Sequence, residues 1–142
     1  MHQSGQIRLI ALGLIRNGEY IFVSQGCDYV KGAYFYRALG GGVEFGENSL
    51  VALKREFQEE IQAELNHIEY LGCLENIFTY NGQPCHEVIQ LYKCGFIDPK
   101  FYQLERLVFK EGKHEKVALW INVKHFQSGS LKLVPEEFLE YL

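Results

Sequence analysis

The chain has no Cys-x-x-Cys pair, no block of Lys and Arg, and no apolar run of membrane-spanning length. Each absence removes a class of protein. The four cysteines, Cys27, Cys73, Cys85 and Cys94, are scattered. Three fall in or beside strand-like segments, which favours buried free thiols over a disulfide framework or a zinc site. His67, His86, His114 and His125 likewise show no metal-ligand spacing. A formal net charge of −4 gives no reason to expect nucleic acid or an anionic membrane as partner. No stretch approaches the roughly 20 apolar residues that a bilayer span needs. Met1 to Gln6 lacks the apolar core of a signal peptide. No repeat, low-complexity tract or linker is visible. A cytoplasmic enzyme or binding domain is expected. If it binds phosphates, something other than bulk positive charge must neutralise them.

What is present is material for a core. With 47% hydrophobic and 14% aromatic residues in 142 positions, one domain spanning 1–142 is expected. Ile7 to Ile15 is apolar apart from Arg8 and Gly13, as in a strand buried on both faces. Asn17-Gly18 offers a hairpin turn, with Glu19 to Ser24 returning from it. Gln25 to Ala33 reads as a loop, in which Tyr29 and Lys31 are candidates for specificity. Tyr34 to Leu39 is a short aromatic strand entering Gly40-Gly41-Gly42, where the backbone can approach a ligand closely. Asn48 suits an N-cap for a helix from Ser49 to about Gln62. Glu64 to Tyr80, interrupted near Gly72, and His86 to Phe96 read as strands around a turn at Asn81 to Pro84. Asp98 to Lys113 reads as a loop with a helical turn, Val117 to Val123 as a strand, and Glu136 to Tyr141 as a short helix after Pro135. The order implies a mixed α/β domain with a sheet and a packed helix.

The helix carries the informative pattern. At about 100° per residue, Glu60 and Glu59 flank Glu56 on one face, with Arg55 just beyond Glu59. Leu50, Leu53, Phe57 and Ile61 form an apolar stripe, and Ala52 falls within the acidic face one turn before Glu56. A bare pair of helical glutamates is usually a solvated surface, because like charges at i,i+4 cost only about 0.2–0.5 kcal/mol. The context changes that reading. Gly41, Glu47, Arg55, Glu56, Glu59 and Glu60 satisfy G-x5-E-x7-R-E-U-x-E-E, with Phe57 at the apolar position U.

This segment, Gly41 to Ala63, resembles the Nudix box, the signature of the Nudix hydrolase family. Gly40 and Ala52 also resemble the family's pattern. The box usually has glycine after the paired glutamates, and Gln62 stands there. A left-handed helix end would cost glutamine on the order of 1 kcal/mol.

The resemblance implies an α/β/α sandwich with a mixed β-sheet and a central catalytic helix. It implies a Mg²⁺-dependent hydrolase, with Mn²⁺ as a substitute, cutting a phosphoanhydride. The substrate would be a nucleoside diphosphate linked to another moiety, or a nucleoside triphosphate. Glu56 and Glu60 would be the leading metal ligands, joined by the Gly41 carbonyl, with Glu59 a further ligand or water-activating group. Arg55 and Glu47 would pair and position loop and helix. Carboxylate and carbonyl oxygens suit a hard cation. Through it an acidic protein can hold an anionic substrate.

An acid outside the box is also expected. Glu115 is the first candidate and Glu105 the second, whereas Glu87 reads better as a strand-end surface residue. Arg37 can reach a phosphate. Tyr36 and Phe78, with Tyr34, Phe35 and Tyr80, can stack on a base, although strand aromatics more often fill cores. A homodimer is compatible with the family. The alternative is a non-catalytic Nudix-like nucleotide sensor, but such domains tend to lose the acids that are kept here. A purely structural module would predict that Glu60→Gln changes nothing.

Overall fold

The structure, a computed structural model, describes residues 5–142. The elements run β1 (Ile7–Asn17), β2 (Tyr20–Asp28), β3 (Ala33–Gly42), α1 (Ser49–Ile61), β4 (Leu65–Tyr80), β5 (Gln83–Phe96), α2 (Lys100–Gln103), β6 (Arg106–Glu111), β7 (His114–Asn122) and α3 (Lys124–Gln127). A 3₁₀ segment, Glu136–Tyr141, closes the chain. The strands lie in the order β4-β5-β1-β3-β2-β7-β6. β1 and β5 are parallel, from Ile7 opposite His86 to Ile15 opposite Cys94, and the other pairings are antiparallel.

Strand alternation divides the core. From β1, Ile10, Leu12 and Leu14 enter a cluster with Ile89, Leu91, Phe126 and Phe138. Ala11 and Ile15 enter the opposite cluster, with Leu53, Phe57, Phe96 and Phe101. Helices therefore cover both faces of a mixed sheet, as the sandwich expectation requires. A β-carbon on Gly13 would meet the Phe57 ring at 3.1 Å, so α1 seats directly against β1. Among the described residues no helix is long and apolar enough to cross a membrane.

β3 changes neighbours midway. Ala33 to Ala38 pair with β2, while Leu39 to Gly42 pair with β1. At the crossing, Gly40 has φ +148°, and a β-carbon there would lie 2.0 Å from the Ala11 carbonyl oxygen. Only glycine fits.

Several local readings need correction. β2 runs through Gln25–Asp28, which the sequence offered as loop. Asp28 Oδ1 accepts the Val30 and Lys31 N–H groups at 3.0 Å each and so shapes the turn that follows. The supposed loop before Lys113 contains β6, paired with β7, which itself starts at His114 rather than Val117. β5 begins at Gln83, α3 was not foreseen, and the last helix is 3₁₀. Cys85 and Cys94 are buried, but Cys73 is exposed. On α1, Leu50 is exposed and Ala52 fully buried, the reverse of the helical-wheel reading.

α1 begins where Asn48 Oδ1 accepts the Val51 N–H at 2.9 Å, and Ser49 Oγ meets the Tyr92 hydroxyl at 2.6 Å. It ends on Gln62 at φ 53°, ψ 42°. The Gln62 N–H bonds Gln58 O at 3.1 Å and the Ala63 N–H bonds Phe57 O at 3.2 Å. Glutamine thus occupies a left-handed cap that glycine adopts without strain. Gln62→Gly is expected to stabilise the protein by about 0.5–1 kcal/mol, visible as a higher urea midpoint at unchanged m-value. An unchanged or lower midpoint would contradict it.

Candidate active site

The buried flank of α1 leaves its acids at the edge of the core. Glu56 is 17% exposed and Glu59 60%. Between them and the glycines of β3 lies an open cleft of ≈ 350 Å³. Arg8, Gly41, Glu56, Glu59, Glu60 and Glu111 line it, along with Lys110. The glycine run matters at Gly41, where a β-carbon would lie 2.4 Å from Glu56 Cδ and 2.5 Å from its Oε2. The Glu56 carboxylate occupies space that any other residue at 41 would fill.

Arg55 organises the acids. Its Nη2 donates to Glu47 Oε1 at 2.6 Å and to the Gly42 carbonyl at 2.9 Å. Its Nε donates to Glu47 Oε2 at 3.1 Å. Nη1 donates to Glu56 at 3.0 Å and Glu59 at 3.2 Å. Glu47 also accepts the Glu44 N–H at 2.9 Å, which ties down the loop between β3 and α1. The expected pairing of Arg55 with Glu47 is therefore present and fork-shaped. Arg55→Lys keeps a charge but loses the fork. It is expected to lower kcat/KM about tenfold and stability by about 1–3 kcal/mol, read from steady-state kinetics and thermal melting. Wild-type values would show the network to be ornamental.

The protonation equilibria follow from this packing. The Arg55 hydrogen bond, aided by the Glu44 N–H, holds Glu47 below the usual carboxylate range. Burial pushes Glu56 up, against the pull of Arg55. Burial pushes Glu60 up to about 8, reinforced by Glu111 and Glu56. Glu60 and Glu111 line the same cleft. Burial would also raise Glu111, but positive charge around it, the Lys116 ammonium at 3.3 Å foremost and Arg8 after it, keeps the carboxyl low. Among the described residues no three acids, histidines or cysteines converge into a ready-made cation cage. Arg55 and Lys116 hold the carboxylates instead.

Glu111 is the acid that sequence reasoning missed, and it stands where Glu115 was expected. Leu107, Phe109 and Glu111 share the α1-facing side of β6, and Phe109 is buried in the α1-side core. Glu115 pairs across to Lys110 and is exposed, and Glu105 precedes β6 on the surface. One step along a pleat reverses the face. Arg8 was also missed, although its interruption of an apolar strand was a visible signal.

The expected substrate contacts lie away from this cleft. Arg37 forms an ion pair with Glu87 at 2.5 Å, and Glu87 is fully buried rather than a surface residue. Tyr36 is 8% exposed in the core on the face away from α1, where its hydroxyl accepts a hydrogen bond from Gln25 at 3.0 Å. That placement makes Tyr36 a core residue. Phe78 pairs opposite Cys85 on β4 and is partly exposed.

Acids on a helix, clamped by arginine against a glycine strand, put this fold in the Nudix class. A family model described as the NUDIX domain matches residues 7–142, and the chain belongs to that family. Solved structures with the same fold include the Escherichia coli ORF135 protein, with TM-score 0.59 and 20% identity over 95% of this chain and 87% of that one. The Nudix hydrolase of Nitrosomonas europaea gives TM-score 0.61 and 15% identity over 92% and 82%. A MutT Nudix hydrolase of Burkholderia pseudomallei gives 0.56 and 20% over 84% and 85%. At these identities the likeness is one of fold. No curated protein sequence matches the chain significantly.

Proposed function

We propose that this chain is a Mg²⁺-dependent hydrolase, also served by Mn²⁺, of a phosphoanhydride in a nucleoside triphosphate or a nucleoside diphosphate linked to another moiety. The observation that carries the reading is the trio Glu56, Glu60 and Glu111, the first two pressed against the core edge, beside the bare backbone of Gly41. Arg55 and Lys116 offset part of the charge of these crowded acids, and a divalent ion would complete the neutralisation. The donor set is all hard oxygen, which suits magnesium. Glu56, Glu59, Glu60, Glu111 and the Gly41 carbonyl would hold it, with Glu111 taking the role first offered to Glu115. When bound, the ion supplies a Lewis acid that offsets charge on the phosphoryl oxygens and makes the attacking water more acidic.

The chain's own groups do the rest. Arg55 and Glu47 keep the loop and helix in register, so the acids meet the substrate with little reorganisation. Glu59, the most exposed of the box acids, is placed to take a proton from the attacking water. As the water oxygen bonds to phosphorus, the bridging anhydride P–O bond breaks and the second phosphate leaves. Arg37 and Phe78 are the proposed contacts for the rest of the substrate.

The test is a Mg²⁺/Mn²⁺ hydrolysis panel of modified nucleoside triphosphates, nucleotide sugars, ADP-ribose and dinucleoside polyphosphates. Metal-dependent release of a nucleoside monophosphate or of phosphate is expected. Tight binding without turnover would make the chain a nucleotide sensor instead.

A further inference from the structure

We infer that Arg8 is the cleft's phosphate contact, a guanidinium on β1 that takes a phosphoryl group of the substrate beside the carboxylates. Arg8 is half-buried in an otherwise apolar strand and lines the same cleft as Glu56, Glu60 and Glu111. Gly42 makes room for it: a β-carbon there would lie 3.3 Å from Arg8 Nη2 and 3.5 Å from Nε. Two other cations nearby are committed. Arg55 is held by Glu47, Glu56 and Glu59, and Lys116 by Glu111.

Among the described residues no carboxylate lies within ion-pair distance of Arg8, and Glu111, across the cleft, is the acid that feels its charge. Lys110 is also without an ion pair, but it is exposed on a flexible stem at the rim. A half-buried guanidinium that only senses a carboxylate at longer range gains from a ligand that completes its hydrogen bonds. Its planar fork matches two phosphoryl oxygens. It also supplies positive charge where four glutamates would otherwise repel a polyanion. A diphosphate would be gripped at both ends, by the carboxylate side of the cleft and by Arg8.

The identity of the substrate rests on the hydrolase reading, so the test uses a diphosphate that cannot be cleaved. Binding of methylenediphosphonate with Mg²⁺ is measured by calorimetry for wild type, R8Q and R8K. R8Q is expected to weaken it about 10- to 100-fold, and R8K to recover part of the loss. Mg²⁺ alone should bind R8Q at least as tightly as wild type, because a positive charge has left the acidic cleft. KM for any nucleotide the wild type hydrolyses should rise at least tenfold in R8Q. Diphosphonate affinity within twofold of wild type would overturn the assignment. So would joint loss of Mg²⁺ binding, which would make Arg8 a prop for the carboxylates. If R8Q loses its melting transition, R8K carries the test, and unweakened diphosphonate binding overturns it. A wild type that hydrolyses nothing, beside an R8Q that loses the diphosphonate, sinks the hydrolase reading and supports the Arg8 contact.

Discussion

Glu60→Gln is expected to slow hydrolysis at least a hundredfold, the usual consequence of removing a key charge-stabilising group. Without divalent cation, the same change is expected to raise the melting temperature at pH 8. Burial and the neighbouring Glu111 and Glu56 disfavour the charge of Glu60 and push its carboxyl from the usual 4.5 up to about 8 in the folded chain. A carboxyl whose folded pKa is raised favours the native state while protonated. That contribution is whole below about pH 4.5 and is lost as pH climbs through about 8. The metal-free wild type should therefore lose stability across that window, and Glu60→Gln should lose less. Mg²⁺ binding near neutral pH should release up to one proton per ion, measurable by calorimetry in buffers of different ionisation heat. A Glu60→Gln enzyme with wild-type rate would remove Glu60 from the metal site. A pH-independent melting temperature in the metal-free wild type would remove the burial argument.

Gly41→Ala is expected to cost about a hundredfold in kcat/KM, with the fold largely kept. The added methyl would enter the space of the Glu56 carboxyl, 2.4 Å from its carbon. Glu56 must swing away, which breaks its 3.0 Å bond with Arg55 and moves a proposed cation ligand. Divalent affinity should fall with the rate, and far-ultraviolet circular dichroism should not change. Gly42→Ala is the control for divalent affinity alone, since its β-carbon would face Arg8, the inferred phosphate contact, rather than Glu56. Equal activity of Gly41→Ala and wild type would show that the close approach is incidental.

The central helix and its acids were legible because they are local. A period of 3.6 residues, an Asn48 cap and fixed spacing from Gly41 to Glu60 need no knowledge of distant strands. Gln62 as the helix end was legible for the same reason, and the structure keeps the left-handed cap. The β1 strand, buried on both faces, was legible because unbroken apolar residues leave little alternative. β6 was missed although Leu107, Val108 and Phe109 carry strand-forming side chains, because pairing with β7 is what turns such a short run into a strand.

Ala52 looked like part of an acidic face, and only the packing of α1 against the sheet shows that face to be partly core. Periodicity locates a side chain around a helix axis but not the depth to which the helix sinks. Glu111 and Arg8 entered the site for a related reason. Each lies far in sequence from the box, and their positions depend on the registers of β6 with β7 and of β1 with β3. Spacing along the chain therefore specified the helix, its acids and their chemistry. Strand pairing specified which remote charges face them, because a one-residue shift in register turns a side chain to the other side of the sheet.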